Sequence, residues 1–158
     1  MIIYTDGSAV PNPGPGGYGL AILDDDENLV YTISRRFENT TNNEMELKAI
    51  LFALKIFGAQ ANQDFIQPPT VYTDSAYAYN IYTNWMYNWA KNDWLKADGK
   101  KPENLEIIKD YFNESKNKII DLRKIAGHSN ILGNELADKL ATGKLYPADL
   151  QERYIKNE

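Results

Sequence analysis

The chain has 158 residues, 43% of them hydrophobic and 25% charged, which suits one ordinary globular domain and fits neither a disordered nor a membrane-spanning chain. Cysteine is absent, which excludes disulfides, thiolate metal sites and cysteine nucleophiles, and the single histidine, His128, excludes zinc chemistry built on paired histidines. A net charge of −5, from 17 basic and 22 acidic residues, argues mildly against a nucleic-acid partner and fits a protein that gathers carboxylates around a cation.

Residues 2–5 are apolar and β-branched and predict a strand that stops at Asp6-Gly7-Ser8. The segment 10–17, dense in Pro and Gly, is read as neither helix nor central strand. Residues 19–23 and 29–37 predict two more strands around the polar turn 24–28, completing an antiparallel meander. Thr40-Thr41-Asn42-Asn43 supplies capping residues, and the spacing of Leu47, Ile50, Leu51, Leu54 and Phe57 predicts a helix running to residue 60, with Glu46 in its first turn. Residues 70–73 predict a fourth strand ending at Asp74. Ser75 caps a short helix to about residue 82, and 85–91 reads as another. Asn104 opens a helix to about residue 115, 119–125 predicts a fifth strand, and 133–141 a last helix with Leu136 and Leu140 on one face.

This order implies an α/β fold: a five-stranded mixed sheet, three strands antiparallel and two further strands parallel, with helices on both faces. The start of the chain shows no basic segment followed by an apolar stretch, so no secretory signal is expected and the cytoplasm is the expected address.

Two strands end alike, in Tyr4-Thr5-Asp6 and Tyr72-Thr73-Asp74, each placing a carboxylate just past a strand's carboxyl end, the edge where α/β sheets bind ligands. If the two strands are parallel neighbours, Asp6 and Asp74 meet. Glu46 lies on a helix that covers the sheet, and Asp138 lies at the border of the last helix's apolar stripe. Converging carboxylates repel unless protons or a cation neutralise them, and magnesium suits hard oxygen ligands. Each acid taken alone reads more simply as a solvated surface group or strand-end cap, a reading that the repeated Tyr-Thr-Asp weakens without removing.

The pattern over residues 3–141 resembles ribonuclease H of type 1. The resemblance rests on Thr5-Asp6-Gly7-Ser8, Asn12-Pro13-Gly14-Pro15-Gly16-Gly17-Tyr18-Gly19, Thr41-Asn42-Asn43 with Met45-Glu46-Leu47, and Tyr72-Thr73-Asp74-Ser75. It continues through Trp85, Trp89, Trp94, Lys100-Lys101-Pro102, Gly127-His128 and Asn134-Glu135-Leu136-Ala137-Asp138. It implies a catalytic domain over 1–142 followed by a tail, 143–158, whose role pattern does not reveal. The implied activity is an endonuclease that cuts the RNA strand of RNA–DNA hybrids with two Mg2+ ions, leaving 5′-phosphate and 3′-hydroxyl ends, with Mn2+ able to substitute. The implied metal ligands are Asp6, Glu46, Asp74 and Asp138, with His128 assisting proton transfer or product release. Asn12, Asn42 and Asn43 match contacts to the RNA strand, and Thr41 and Asn104 match a pocket for a DNA-strand phosphate. The segment 85–104, with Trp85, Lys91, Lys100 and Lys101, matches a handle that grips the hybrid. The hybrid is the expected partner, with no membrane, no obligate protein partner and a monomeric state.

The chain departs from the pattern in three places. Ala76 stands where many members carry Gln, and Glu44 where a basic or amide residue is common. The handle is only weakly basic, because Asp93, Asp98 and Glu103 nearly offset Lys91, Lys96, Lys100 and Lys101. A binding module without turnover and another nuclease of the same fold are the competing readings. The intact carboxylates argue against the first, and Asn42-Asn43 with the handle against the second.

Overall fold

A computed structural model describes residues 1–64, 67–127 and 130–147. Its main sheet has five strands: β1 (Ile2–Ala9), β2 (Gly14–Leu23), β3 (Leu29–Thr40), β5 (Thr70–Thr73) and β7 (Asp121–Lys124). They lie in the order β3-β2-β1-β5-β7. The β1–β2 and β2–β3 pairs are antiparallel, and β1–β5 and β5–β7 are parallel. The five-stranded mixed sheet expected from the sequence is the one observed.

Side-chain alternation along β1 assigns its two faces. Ile3 joins Leu20, Ile22, Val71 and the Met45, Ala49 and Ala53 face of helix α1 (Asn42–Phe57). Tyr4 points the other way, toward Leu136, Ala137 and Leu140 of α5 (Leu132–Ala141). The sheet therefore carries one helix on each face. The opposite side of α1, with Leu47, Ile50, Leu51 and Leu54, packs on α2 (Ala76–Asn80), α3 (Met86–Lys91) and α4 (Leu105–Glu114). There the rings of Tyr82 and Tyr111 stack at 3.7 Å, and the Tyr82 hydroxyl donates to the Leu47 carbonyl at 2.9 Å. Among the described residues no helix is long and apolar enough to cross a membrane.

Several elements differ from the sequence expectation. Strand β2 begins at Gly14 and lies between β1 and β3, so part of the Pro- and Gly-rich segment is central strand after all. Pro15 is tolerated because the β2–β3 register shifts between Gly14 and Gly16, so its missing N–H falls where the ladder is already irregular. Helix α1 ends at Phe57, where the Gly58 N–H closes onto the Leu54 carbonyl, and Ala59–Gln60 forms a short strand, β4. It pairs with β6 (Lys118–Ile119), so the fifth strand of the main sheet starts at Asp121. The two short helices expected between residues 75 and 91 are one rod, because a π-helical turn, Ile81–Trp85, joins α2 to α3.

Candidate active site

The parallel register pairs Ile2 with Thr70 and Tyr4 with Tyr72, and the Thr5 hydroxyl donates to the Tyr72 carbonyl at 2.9 Å. Two residues further along, β5 has ended at Thr73 and Asp74 lies just past it, beside Asp6. Strand β1 itself runs on to Ala9, paired with β2, so Asp6 sits inside its strand and not past the end, where the sequence reading places it. Glu46 reaches them from the second turn of α1, not the first, because the helix begins at Asn42. Gly7 admits that helix: a Cβ there would lie 2.4 Å from the Glu46 nitrogen. One carboxylate oxygen from each of Asp6, Glu46 and Asp74 lies within 4.8 Å of the others. Asp138 approaches from α5, interacts with Asp6, and lines a cleft of about 280 Å³ together with Asp74.

The electrostatics of this cluster follow from burial and like charge. Asp6 is 5% exposed and Glu46 8%. Burial pushes the Asp6 carboxyl up to about 8, opposed by a hydrogen bond with Glu46 and reinforced by Asp74 and Asp138. Burial, and then the charge of Asp6, raises Glu46 well above the usual carboxylate range. Oε2 of Glu46 is buried with no hydrogen-bond partner. A buried carboxylate oxygen left unpaired beside two more acids is costly, and a divalent cation would satisfy it. The donor set, hard oxygens only, fits such an ion, so this group is able to bind metal.

The residues expected on the substrate side form a bonded corner. The Thr41 side chain caps α1 by accepting from the Glu44 N–H at 3.1 Å, so capping falls to Thr41 rather than to either Asn. Oδ1 of Asn42 accepts from the Ala9 N–H at 2.6 Å, and Oδ1 of Asn12 accepts from the Asn42 N–H at 3.1 Å. These bonds lock the loop after β1 to the start of α1. Asn12, Asn42 and Asn43 are all exposed. Glu44 does not add a bare charge here. Burial would raise its carboxyl, but a hydrogen bond from Thr40 and the Lys48 ammonium hold it below the usual range.

The handle splits into packing and exposed parts. Trp89 and Trp94 pack against the α1–α4 core, Trp94 edge-on to Phe112 at 5.2 Å, whereas Trp85 is 41% exposed. Lys91, Lys100 and Lys101 are exposed, and among the described residues none forms an ion pair; Lys96 lies 3.9 Å from Asp98. Asn104 takes a left-handed conformation before α4 and donates to the Tyr77 hydroxyl at 3.1 Å, so one face of its amide is already engaged. His128 lies outside the described residues.

The cleft beside Asp74 and Asp138 is also lined by Asn130, Asn134, Glu135 and Lys139, to which the sequence reading gave no role. Asn134 carried a legible signal, because it precedes Asp138 by four residues on one helix and so shares its face.

The RNase H family pattern matches residues 1–146 of this chain. A Ribonuclease H of Rickettsia canadensis is 38% identical over 144 residues, covering 89% of this chain and 86% of that protein. A Ribonuclease H of Thermoanaerobacter sp. (strain X514) is 38% identical, covering 90% and 88%. Among solved structures, LC11-RNase H1 in complex with RNA/DNA hybrid superposes with a TM-score of 0.61 at 26% identity, over 90% of this chain and 96% of that one. The match takes in both strands that present Asp6 and Asp74 and both helices that bring Glu46 and Asp138, and on it this chain belongs to the RNase H family.

Proposed function

We propose that the protein hydrolyses the RNA strand of RNA–DNA hybrids, leaving 5′-phosphate and 3′-hydroxyl ends, with Asp6, Glu46, Asp74 and Asp138 holding two Mg2+ ions and Mn2+ able to replace them. The observation that carries this reading is the convergence within 4.8 Å of one carboxylate oxygen from each of Asp6, Glu46 and Asp74, with Oε2 of Glu46 buried without a partner and Asp138 alongside. Held by these four acids, divalent ions would supply a water acidic enough to act as nucleophile near neutral pH and would offset charge on the leaving oxygen.

The chain's own residues divide the remaining work. Burial raises the Asp6 and Glu46 carboxyls, so cations that bind there displace protons and the site assembles with proton release. The corner of Asn12, Thr41, Asn42 and Asn43 meets the hybrid backbone, and Asn side chains can both donate to and accept from a ribose 2′-hydroxyl, the group that separates RNA from DNA. Trp85, Lys91, Lys100 and Lys101 contact the flanking duplex, and Asn104 with Thr41 a DNA-strand phosphate. His128 assists proton transfer or product release, a role that rests on its motif alone. The retained acids favour turnover over binding alone.

The test is a panel of labelled substrates: RNA–DNA hybrid, duplex DNA, duplex RNA and single-stranded RNA, each with Mg2+, Mn2+ or chelator. The proposal expects metal-dependent cleavage of the hybrid's RNA strand only. Equal cleavage of duplex DNA, or cleavage in chelator, would overturn it.

A further inference from the structure

Helix α5 brings Asp138 to the cluster, and its C-terminal end is held from an unexpected place. The last turn of any helix leaves carbonyls without intrahelical partners, and these carry the negative end of the helix dipole. In α5 two of them are taken by side chains of β3, more than 100 residues earlier in the chain. The Ser34 hydroxyl donates to the Leu140 carbonyl at 3.0 Å, and Nη1 of Arg36 donates to the Ala141 carbonyl. The Asp138 carbonyl is taken by Thr142, from both its N–H and its hydroxyl at 2.9 Å. Gly143 then turns away with φ of +74°, and a Cβ there would lie 3.3 Å from Cζ of Arg36, so the guanidinium lies against that turn.

Ser34 and Arg36 are two apart on β3 and share a face. That face is the one Asp6 occupies: Ser34 pairs with Gly19 across β2–β3, and Gly19 pairs with Asp6 across β1–β2. One row across three strands therefore presents Asp6 at one end and half of the clamp on Asp138's helix at the other. Arg36 is exposed and, among the described residues, forms no ion pair; its guanidinium is committed to the helix end. A permanently charged, planar donor suits that task better than a lysine.

We propose that Arg36, supported by Ser34, is a positioning residue for Asp138: it fixes the last turn of α5 so that the Asp138 carboxylate completes the acid cluster. This rests on the reading of Asp138 as a metal ligand. The alternative is a helix cap that serves stability alone.

The experiment compares the full chain with Arg36→Ala, Arg36→Lys and Ser34→Ala, each alone and combined with Asp138→Asn. Two quantities are read: the Mg2+ concentration at the midpoint of the metal-induced rise in Tm, and KM and kcat on hybrid. Arg36→Ala should raise the Mg2+ midpoint by about three- to tenfold and lower kcat, with KM held within about twofold, a coupling of the size found between interacting residues. Arg36→Lys should fall between Arg36→Ala and the parent. If Arg36→Ala does not fold, Ser34→Ala carries the test with a smaller shift in the same direction. In the Asp138→Asn background the Arg36 effect on the midpoint should vanish. A lowered Tm with a parental Mg2+ midpoint, or an undiminished Arg36 effect in that background, would overturn the positioning role. A parental midpoint for Asp138→Asn itself would overturn the underlying assignment of Asp138 instead.

Discussion

Asp6 and Gly19 face each other across the β1–β2 ladder, and the absence of a side chain on Gly19 is what brings Asp138 to Asp6. A Cβ on Gly19 would lie 2.5 Å from Cβ of Leu140 and 2.7 Å from the Ala137 carbonyl, on the two sides of Asp138 in α5. The helix thus rests directly on the backbone of Asp6's cross-strand partner. Gly7, next to Asp6 in the chain, does the same for Glu46 on the opposite face of the sheet. Two missing side chains beside one aspartate let two helices close around it.

Gly19→Ala should therefore destabilise the protein by about 3 kcal/mol, the upper end for inserting a methyl group into a packed site, and reduce hybrid cleavage even where the protein is still folded. Gly99→Ala is the control: its Cβ would meet nothing within 4 Å, and only its φ of +82° is penalised. That change should cost about 1 kcal/mol and leave kcat at saturating hybrid at the parental value, since Gly99 lies in the Lys100–Lys101 turn and touches nothing at the acid cluster. Chemical denaturation with parallel rate measurements checks both.

The acid cluster makes stability depend on pH in a definite direction. Asp6 ionises near 3.8 in the unfolded chain and about 8 in the folded one, so the folded state holds a proton that the unfolded state has lost. Its contribution is fully present below the unfolded value and is lost as pH rises through the folded one. In chelator, Tm should fall between pH 5 and pH 8, by less in Asp6→Asn, and Mg2+ should raise Tm more at pH 8 than at pH 5. Thermal scans across this window, with and without metal, provide the check.

Asn42 and Asn43 should separate cleanly, because only Asn42 holds the β1 loop. Asn42→Ala removes the acceptor for the Ala9 N–H and should cost about 1 kcal/mol, while Thr41 continues to cap the helix. Asn43→Ala should leave stability within about 0.5 kcal/mol, as exposed substitutions do. Any rise in its KM then reports substrate contact alone. Unfolding curves paired with steady-state kinetics distinguish the two.

Lys100 and Lys101 are exposed and unpaired among the described residues, so they are available to phosphates in a way that Lys96, beside Asp98, is not. Replacing both with Ala should raise KM more than it lowers kcat, because such contacts hold ground and transition states alike. It should also flatten log affinity against log salt by up to about one unit per lost contact. Hybrid binding in Asp74→Asn at several salt concentrations measures the slope.

The central pair of the site was legible because the repeated Tyr-Thr-Asp falls on two strands that are parallel neighbours in register, which brings Asp6 and Asp74 together. The motif marks a strand end only at Asp74, since β1 continues to Ala9 on its pairing with β2. Glu46 and Asp138 followed from the family motif, and the helix pattern put them on covering elements. The start of β2 was not legible, because composition rules treat Pro15 as a breaker and cannot foresee a register shift that accommodates it. Strands β4 and β6 are each two residues long, too short to show any period. The clamp of Ser34 and Arg36 on α5 was invisible for a different reason. It joins residues about 105 apart, and nothing local in β3 says which carbonyls its alternate side chains will meet.

The most direct test of the account is hybrid cleavage against Mg2+ concentration, with the protein and Asp74→Asn measured side by side. Asp74→Asn keeps the shape of the side chain and removes one of the charges that recruit the cation. The account expects the parent to cut the RNA strand in proportion to bound metal. The variant should lose activity by about a thousandfold or more at every concentration, as removal of a group essential to the reacting centre does, while its Tm in chelator equals or exceeds the parent's. Parental cleavage by a folded Asp74→Asn would contradict it.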